Sequence, residues 1–361
     1  GVIVYNYSND VLLSGNTVSD NSGYGVYIRN YNDNVMVSGN TIEGNANHGV
    51  YINNTNYGTV LSENAINGND RVGVYLASYN DGTLLSDNMI DSNSEYGVSL
   101  YYYNDDVVLS GNSIRNNGYS GVYTHRYNQY SLFKGNVMVG NGGRGVMFES
   151  SYVSSNATFE GNTIADNTTD GLLVYGNNHR LDNNLIVRNG DDGLEWVSGS
   201  GTLRHNTISD NAGGAGLRVG SATLVLTNTI ISGHSYGILT TSTAASVQAD
   251  HTLWFANGSD TDATAGGAIT TSNDRFGDPA FAGDLDPFEA YHITAVSAAI
   301  DNGVDVGLYF DIDGQSRPYD LGYDIGADEY PGQAVPPADL VVEGPLTGTI
   351  QYEHTFTATV N

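Results

Sequence analysis

Tyr101, His125 and Glu149 are evenly spaced along the chain, and Tyr123 precedes His125 by two. An imidazole beside a carboxylate is a tuned general base, and a phenol hydroxyl can serve as the acid. A base and an acid at a sugar C5 are what polysaccharide lyases and epimerases require. The plain alternative is a surface histidine paired with a glutamate. Either way, side chains so far apart in sequence meet only if that spacing is one turn of a stacked structure.

The chain has that period. Gly-Val recurs at Gly1, Gly25, Gly49, Gly73, Gly97, Gly121 and Gly145, and the position continues less evenly at Gly171, Gly193, Gly216 and Gly237. Asn keeps step at Asn16, Asn40, Asn64, Asn88, Asn112, Asn136, Asn162, Asn184, Asn206 and Asn228, and a second Asn follows in each unit from Asn21 to Asn211. A fixed period in this range means a solenoid, propeller or array. After each Gly the first and third residues are apolar, as in Val26/Ile28 and Val50/Ile52. A second short alternation precedes each marker Asn (Val35/Val37), and an apolar residue follows it (Ile42, Ile66, Ile90). Period two without helical periodicity predicts three short strands per turn. The expected fold is all-β: a parallel β-helix over residues 1–245, of ten or eleven coils. GVYI…VMVSGNTIEGN resembles the right-handed parallel β-helix repeat of many secreted bacterial proteins. The Asn files then read as ladders that hydrogen-bond up the stack about every 4.8 Å.

Stacking predicts neighbours. His125 and Glu149 fall in one file, about 5 Å apart. The outward positions of the first strand carry Tyr27, Tyr51, Tyr75 and Tyr123, then Glu195 and Arg218. The next outward file carries Arg29, Asn53, Tyr101, His125, Glu149 and Tyr175. A third Tyr series marks the following corner at Tyr7, Tyr31, Tyr79, Tyr103 and Tyr127. Aromatic faces pack on the C–H faces of sugars. Tyr27, Tyr51, Tyr75, Arg29, Asn53, Tyr175, Glu195 and Arg218 are therefore the candidate glycan contacts, with Tyr–Tyr stacking between coils as the alternative. Glu195 beside Arg218 reads as a cross-strand ion pair. Phe148, Phe159 and Trp196 enter core phases where the spacing slips.

Composition narrows the partners. The net charge is −28, with 12 Lys plus Arg against 40 Asp plus Glu, and no Cys. Such a surface argues against nucleic acid and anionic membranes. There is no disulfide framework and no apolar run long enough to insert in a membrane. Polysaccharide, cell-surface glycan or other protein subunits remain as partners. Polyanionic glycans are harder substrates unless Ca²⁺ bridges them.

From about Val247 the repeat is expected to stop. DPAF, YHI, SAAIDNG, DIDGQSRP and DIGADEY, between Asp278 and Tyr330, resemble a choice-of-anchor module. The resemblance implies a cell-surface or extracellular parent protein, with residues 246–330 capping the open C-terminal coil and Arg317 pairing a carboxylate. PGQAVPP (331–337) reads as a linker, and 338–361 looks like the start of an immunoglobulin-like β-sandwich. Both ends read as cut within a larger protein.

Two further patterns bear on chemistry. Polygalacturonase-type glycosidases share this kind of fold and carry Asp on successive coils, then Gly-His-Gly. NTTD (Asn167–Asp170) and GDD (Gly190–Asp192) fit loosely, but GHSYG (Gly233–Gly237) falls one coil too far on. Asp311-Ile312-Asp313-Gly314 resembles the start of a calcium loop, although its twelfth position is Gly322 rather than Glu. Calcium at Asp311 and Asp313 is the cofactor expectation; otherwise none is expected. The leading functional expectation is a non-catalytic extracellular stalk or adhesion module with a tyrosine face. The alternative is a polysaccharide lyase or C5-epimerase, before a hydrolase, using His125, Glu149, Tyr101 and Tyr123.

Overall fold

The computed structural model describes residues 1–149, 154–283 and 286–332. The expected sandwich start (338–361) and most of the linker lie outside the described residues. The chain winds into a parallel β-helix in which each strand pairs with the same phase one coil on. Val26–Arg29 pairs with Val50–Asn53, with Val26 facing Val50 and Ile28 facing Ile52. Third strands such as Thr41–Glu43 and Ala65–Asn67 form a separate 12-stranded parallel sheet. Val26, Ile28, Val50, Ile52, Ile42 and Ile66 are wholly buried. Each contributes about 1.5–3 kcal/mol of apolar burial. Phe133 and Phe159 stack at 4.5 Å, with Phe148 across them edge-on, and Trp196 fills the core above. Gly25 is glycine because a Cβ there would lie 2.5 Å from Ile42 Cγ2 and 2.6 Å from the Gly49 carbonyl.

The ladders are continuous. Asn40 Nδ2 donates to Asn64 Oδ1 at 3.0 Å, and Asn64 Nδ2 to Asn88 Oδ1 at 2.9 Å. The second file links Asn45, Asn69 and Asn93 at 2.9 and 2.8 Å. A third ladder, Asn32, Asn56, Asn80 and Asn104, was not foreseen; its steps are 3.0 Å each. Asn228 leaves the first ladder. The coil from Thr207 to Ile230 is longer by one than the coil from Leu185 to Thr207 before it. Thr229 therefore takes the ladder phase, and Asn228 exchanges hydrogen bonds with the backbone of Val304. The corner tyrosines stack as coplanar rings, Tyr79 on Tyr103 at 5.0 Å and Tyr103 on Tyr127 at 4.7 Å. Their positive φ of 49–57° costs about 1–2 kcal/mol each, which ring stacking helps to offset.

Two expectations change. Three strands per coil hold up to the seventh coil and return from Tyr236–Thr240, Ser246–Asp250 and Leu253–Phe255 onward. In the coils between, the first two strands fuse into Leu172–Asp182, Leu194–Arg204 and Ala215–Thr227. Parallel pairing also continues past residue 245 as far as Arg275–Phe276. Over its described residues, the following segment docks on the 12-stranded sheet. It packs sideways, setting Ala290, Tyr291 and Ala327 against Leu185 and Val187, and Ile293, Ala299 and Ile325 against Ile230 and Leu253. Within it, Arg317 pairs with Glu329 at 2.8 Å, both fully buried, as the carboxylate expectation required. Tyr291 Oη donates to Asp210 at 2.7 Å across this seam. Tyr291→Phe is expected to cost about 1.5 kcal/mol, the range for a hydrogen bond to a charged group. Limited proteolysis should show faster cleavage between residues 277 and 332, with the coils still intact.

Four histidines are buried among the described residues: His48, His179, His205 and His234. Burial holds His179 and His234 down at about 4 and pushes His205 well below its ordinary value. Unfolded, each takes up a proton near 6.5. Their contribution is complete above about 6.5 and is lost as pH falls toward 4. His179 accepts from Ala157 N–H at 3.1 Å, a bond that protonation removes. Asp324 and Asp328, raised by burial to about 7 and about 6, carry the opposite sign. Comparing variant with parent isolates the histidine: His179→Gln should lose about 2–3 kcal/mol less than the parent across that window. Urea midpoints measured against pH check this.

Candidate functional site

The outward face of the first sheet carries an aromatic shelf. Tyr27, Tyr51 and Tyr75 follow one another at 5.1 and 5.4 Å between ring centres; Tyr101 continues at 5.8 Å, and His125 stacks on Tyr101 at 4.7 Å. Asn53 belongs to the shelf: it accepts from Tyr51 Oη at 3.3 Å and donates to Tyr27 Oη at 3.2 Å. Arg29 lies over the Tyr5 ring, 5.1 Å from its centre. Tyr175 stands outside the shelf, where a register shift after Val174 takes it out of file.

Sequence reasoning missed the wall of this groove. The residue just before each phase-marking Gly also forms a file: Tyr24, His48, Val72, Tyr96, Ser120, then Arg144, Asp170 and Asp192. The aromatic residues of this file, 24 or 48 positions apart, are its signal in the sequence. Tyr24 stacks on Tyr51 at 4.9 Å, His48 on Tyr75 at 4.8 Å and Tyr96 on Tyr123 at 4.6 Å. Ser99 sits in register between Tyr75 and Tyr123. One ring is therefore missing from the row, and a cavity of about 440 Å³ opens there. His48, Tyr75, Tyr96, Tyr101 and Tyr123 line it. The Arg71–Glu95 ion pair (3.1 Å) also borders it.

At one end of the cavity the four predicted catalytic candidates meet. His125 Nδ1 lies 2.7 Å from Glu149 Oε2 and 3.0 Å from Tyr123 Oη, and Tyr123 Oη donates to the same carboxylate oxygen. With Nδ1–H given to Glu149, the ring's lone pair is on Nε2. Burial raises Glu149, but hydrogen bonds from Tyr123 and His125 outweigh it and hold the carboxyl below its ordinary value. Burial, then the bond to Glu149, raises Tyr123, so its hydroxyl keeps its proton. The cluster is a carboxylate-oriented imidazole base beside a protonated phenol, with Tyr101 fixing the imidazole plane.

Farther along the face, Asp170, Asp191 and Asp192 present oxygens within 4.8 Å of one another. The Glu195–Arg218 pair does not form as expected. Arg218 turns to Asp192, with its Nη2 3.1 Å from Oδ1, because Asp192 is fixed in reach by the Ala215 N–H. Glu195 is raised by burial and by Asp170. Arg144 holds Asp170 at 2.7 Å. His234, the histidine of GHSYG, is 4% exposed and takes the second ladder's place beside Asn211, so it does not reach these carboxylates. Asp311, the first residue of the expected calcium loop, is held by backbone donors. Its Oδ1 accepts from Asp313 and Gln315 N–H, and its Oδ2 from Glu329 N–H. Its Oδ1 closes its own loop, and its Oδ2 ties that loop to Glu329.

No helix among the described residues is long and apolar enough to cross a membrane. No curated protein matches the chain. Solved structures share the fold. A variant of a periplasmic alginate epimerase is 13% identical over 70% of this chain and 76% of that chain, with a TM-score of 0.55. The unsubstituted epimerase gives 13%, the same coverage and 0.52. The mannuronan C-5 epimerase A-module of Azotobacter vinelandii gives 17%, 75% and 74%, and 0.47. Across residues 1–153, 55–201, 125–253 and 151–280 the sequence matches one family description, and the chain belongs to that family, the right handed beta helix region.

Proposed function

We propose that the tyrosine face binds an acidic polysaccharide and that His125, Tyr123 and Glu149 cleave it by β-elimination at a uronate residue. The observation that carries this reading is the meeting of an imidazole, a carboxylate and a protonated phenol within 3.0 Å, at the end of an aromatic groove. His125 Nε2 takes the C5 proton. The electron pair forms the C4–C5 double bond and expels the glycosidic oxygen, which receives its proton from Tyr123. Glu149 steadies the imidazolium formed.

Geometry favours elimination over epimerisation. Tyr123 and His125 project from one face of one strand, Val122–Arg126, so base and acid approach a sugar from the same side. Epimerisation needs the returning proton on the opposite face. Arg126, whose charge acts on Glu149, supplies positive charge for the sugar carboxylate. An extracellular or periplasmic setting, where such glycans lie, goes with this reading. A panel of alginate, pectate and neutral glucans tests it. New unsaturated uronate ends support it. Saturable binding with no new ends returns the protein to a non-catalytic glycan-binding stalk.

A further inference from the structure

A second group of side chains, in the C-terminal segment that packs on the 12-stranded sheet, has the donor set of a metal centre. His292 follows the one-turn helix Pro287–Ala290. Its Nδ1 lies 3.3 Å from the Glu289 carbonyl and its Nε2 lies 2.9 Å from Asp313 Oδ2. That Nε2 is buried and makes no directed hydrogen bond: the carboxylate sits off the line of the ring N–H. Asp328, 3% exposed, brings a carboxylate oxygen within 4.8 Å of both, and the Ile293 N–H fixes it at 2.6 Å. Gln315 Nε2 donates to Asp313 Oδ2 at 3.2 Å. The three groups border a cavity of about 350 Å³ with Ala282 and Tyr330.

An imidazolium–carboxylate pair accounts for the closeness of His292 and Asp313. It does not account for the off-axis approach, or for a third, buried carboxylate brought to the same point. Ligands around one ion do, because their lone pairs aim at the ion and not at one another. A histidine that gives Nδ1–H to a carbonyl and turns Nε2 to the centre is the usual arrangement of a metal-bound imidazole. One nitrogen and two carboxylates suit a borderline divalent ion such as zinc better than calcium, which takes only oxygens. We infer that His292, Asp313 and Asp328 bind one divalent transition-metal ion, with water completing its coordination. The ligands come from three separate stretches of the C-terminal segment, so the ion would staple that segment together where it packs against the coils.

The test uses the full, untagged chain after dialysis against a chelator, titrated with zinc alone, manganese alone and calcium alone in a calorimeter. One zinc per chain is expected, with thermal unfolding of the C-terminal segment shifted upward. His292→Ala and Asp313→Asn should each weaken zinc at least 100-fold while leaving the metal-free circular dichroism unchanged. The Asp313 variant decides if the His292 variant does not fold. Absence of saturable zinc uptake, uptake unaffected by either substitution, or preferential uptake of calcium overturns the assignment.

Discussion

His125→Ala is expected to abolish formation of unsaturated ends, lowering kcat by about 10³-fold, in the range for loss of a positioned general base. Tyr123→Phe should fall by about 10²-fold or more, because expulsion of the glycosidic oxygen then lacks its proton. Glu149→Gln separates orientation from charge. The amide can still accept from Nδ1–H but does not stabilise the imidazolium, so kcat should drop with KM nearly unchanged. Removing an aromatic ring from the shelf acts differently. Tyr51→Ala should raise KM for long chains and leave short oligomers almost unaffected, since Tyr51 lies two coils before the coil of Tyr101 and makes no contact with His125, Glu149 or Tyr123. The effect of His125→Ala is measured by ultraviolet absorbance of the new double bond at saturating substrate. An unchanged rate would remove His125 from the mechanism.

Asn88→Ala should be the most damaging single change to the stack. Asn88 Oδ1 accepts from the N–H and the Nδ2 of Asn64, and its Nδ2 donates to Leu61 O and Asn112 Oδ1, all between 2.9 and 3.0 Å. Truncation strips partners from several buried polar groups at once, costing about 3–5 kcal/mol at about 1–3 kcal/mol for each fully orphaned group. Ser62→Ala, which loses one half-buried hydroxyl bond to Ser38, should cost under about 1 kcal/mol and serves as the control. In a repeat protein the loss is local before it is global. Hydrogen exchange should accelerate first in Ala65–Asn67 and Met89–Asp91, the strands flanking the gap, with coils far along the stack less affected. Equal acceleration everywhere would mean the ladder is not the local clamp its hydrogen bonds describe.

Sequence phase was a good guide wherever the period stayed constant. The burial of Val26 and Ile28, the first two Asn ladders, and the meeting of His125 with Glu149 all follow from which residues share a file. It misled where the coil length changed. Asn228 keeps its residue type but loses its phase in a coil of altered length. Register alone also did not decide pairing: Glu195 faces Arg218 as the files require, yet Arg218 turns to Asp192. It was also read too narrowly. Tyr24, His48 and Tyr96 share a file that Val72 and Ser120 interrupt, and a side chain at a corner can fold back over the neighbouring strand, which the strand's period two does not forecast. The sideways docking of the C-terminal segment had an unread signal. Third strands are apolar on both faces at Val137-Met138-Val139, Leu185-Ile186-Val187 and Ile230-Ile231, where the first ones, such as Thr41–Glu43, are apolar on the inner face alone. A strand buried on both faces needs a cover, and the segment after Phe276 supplies it.

The most direct measurement is nuclear magnetic resonance of a defined uronate oligomer incubated with the protein in D₂O. Loss of the C5–H signal with the parent chain and its retention with His125→Ala is the predicted result. A C5–H signal that persists while the oligomer saturates the tyrosine groove would contradict proton abstraction at this site.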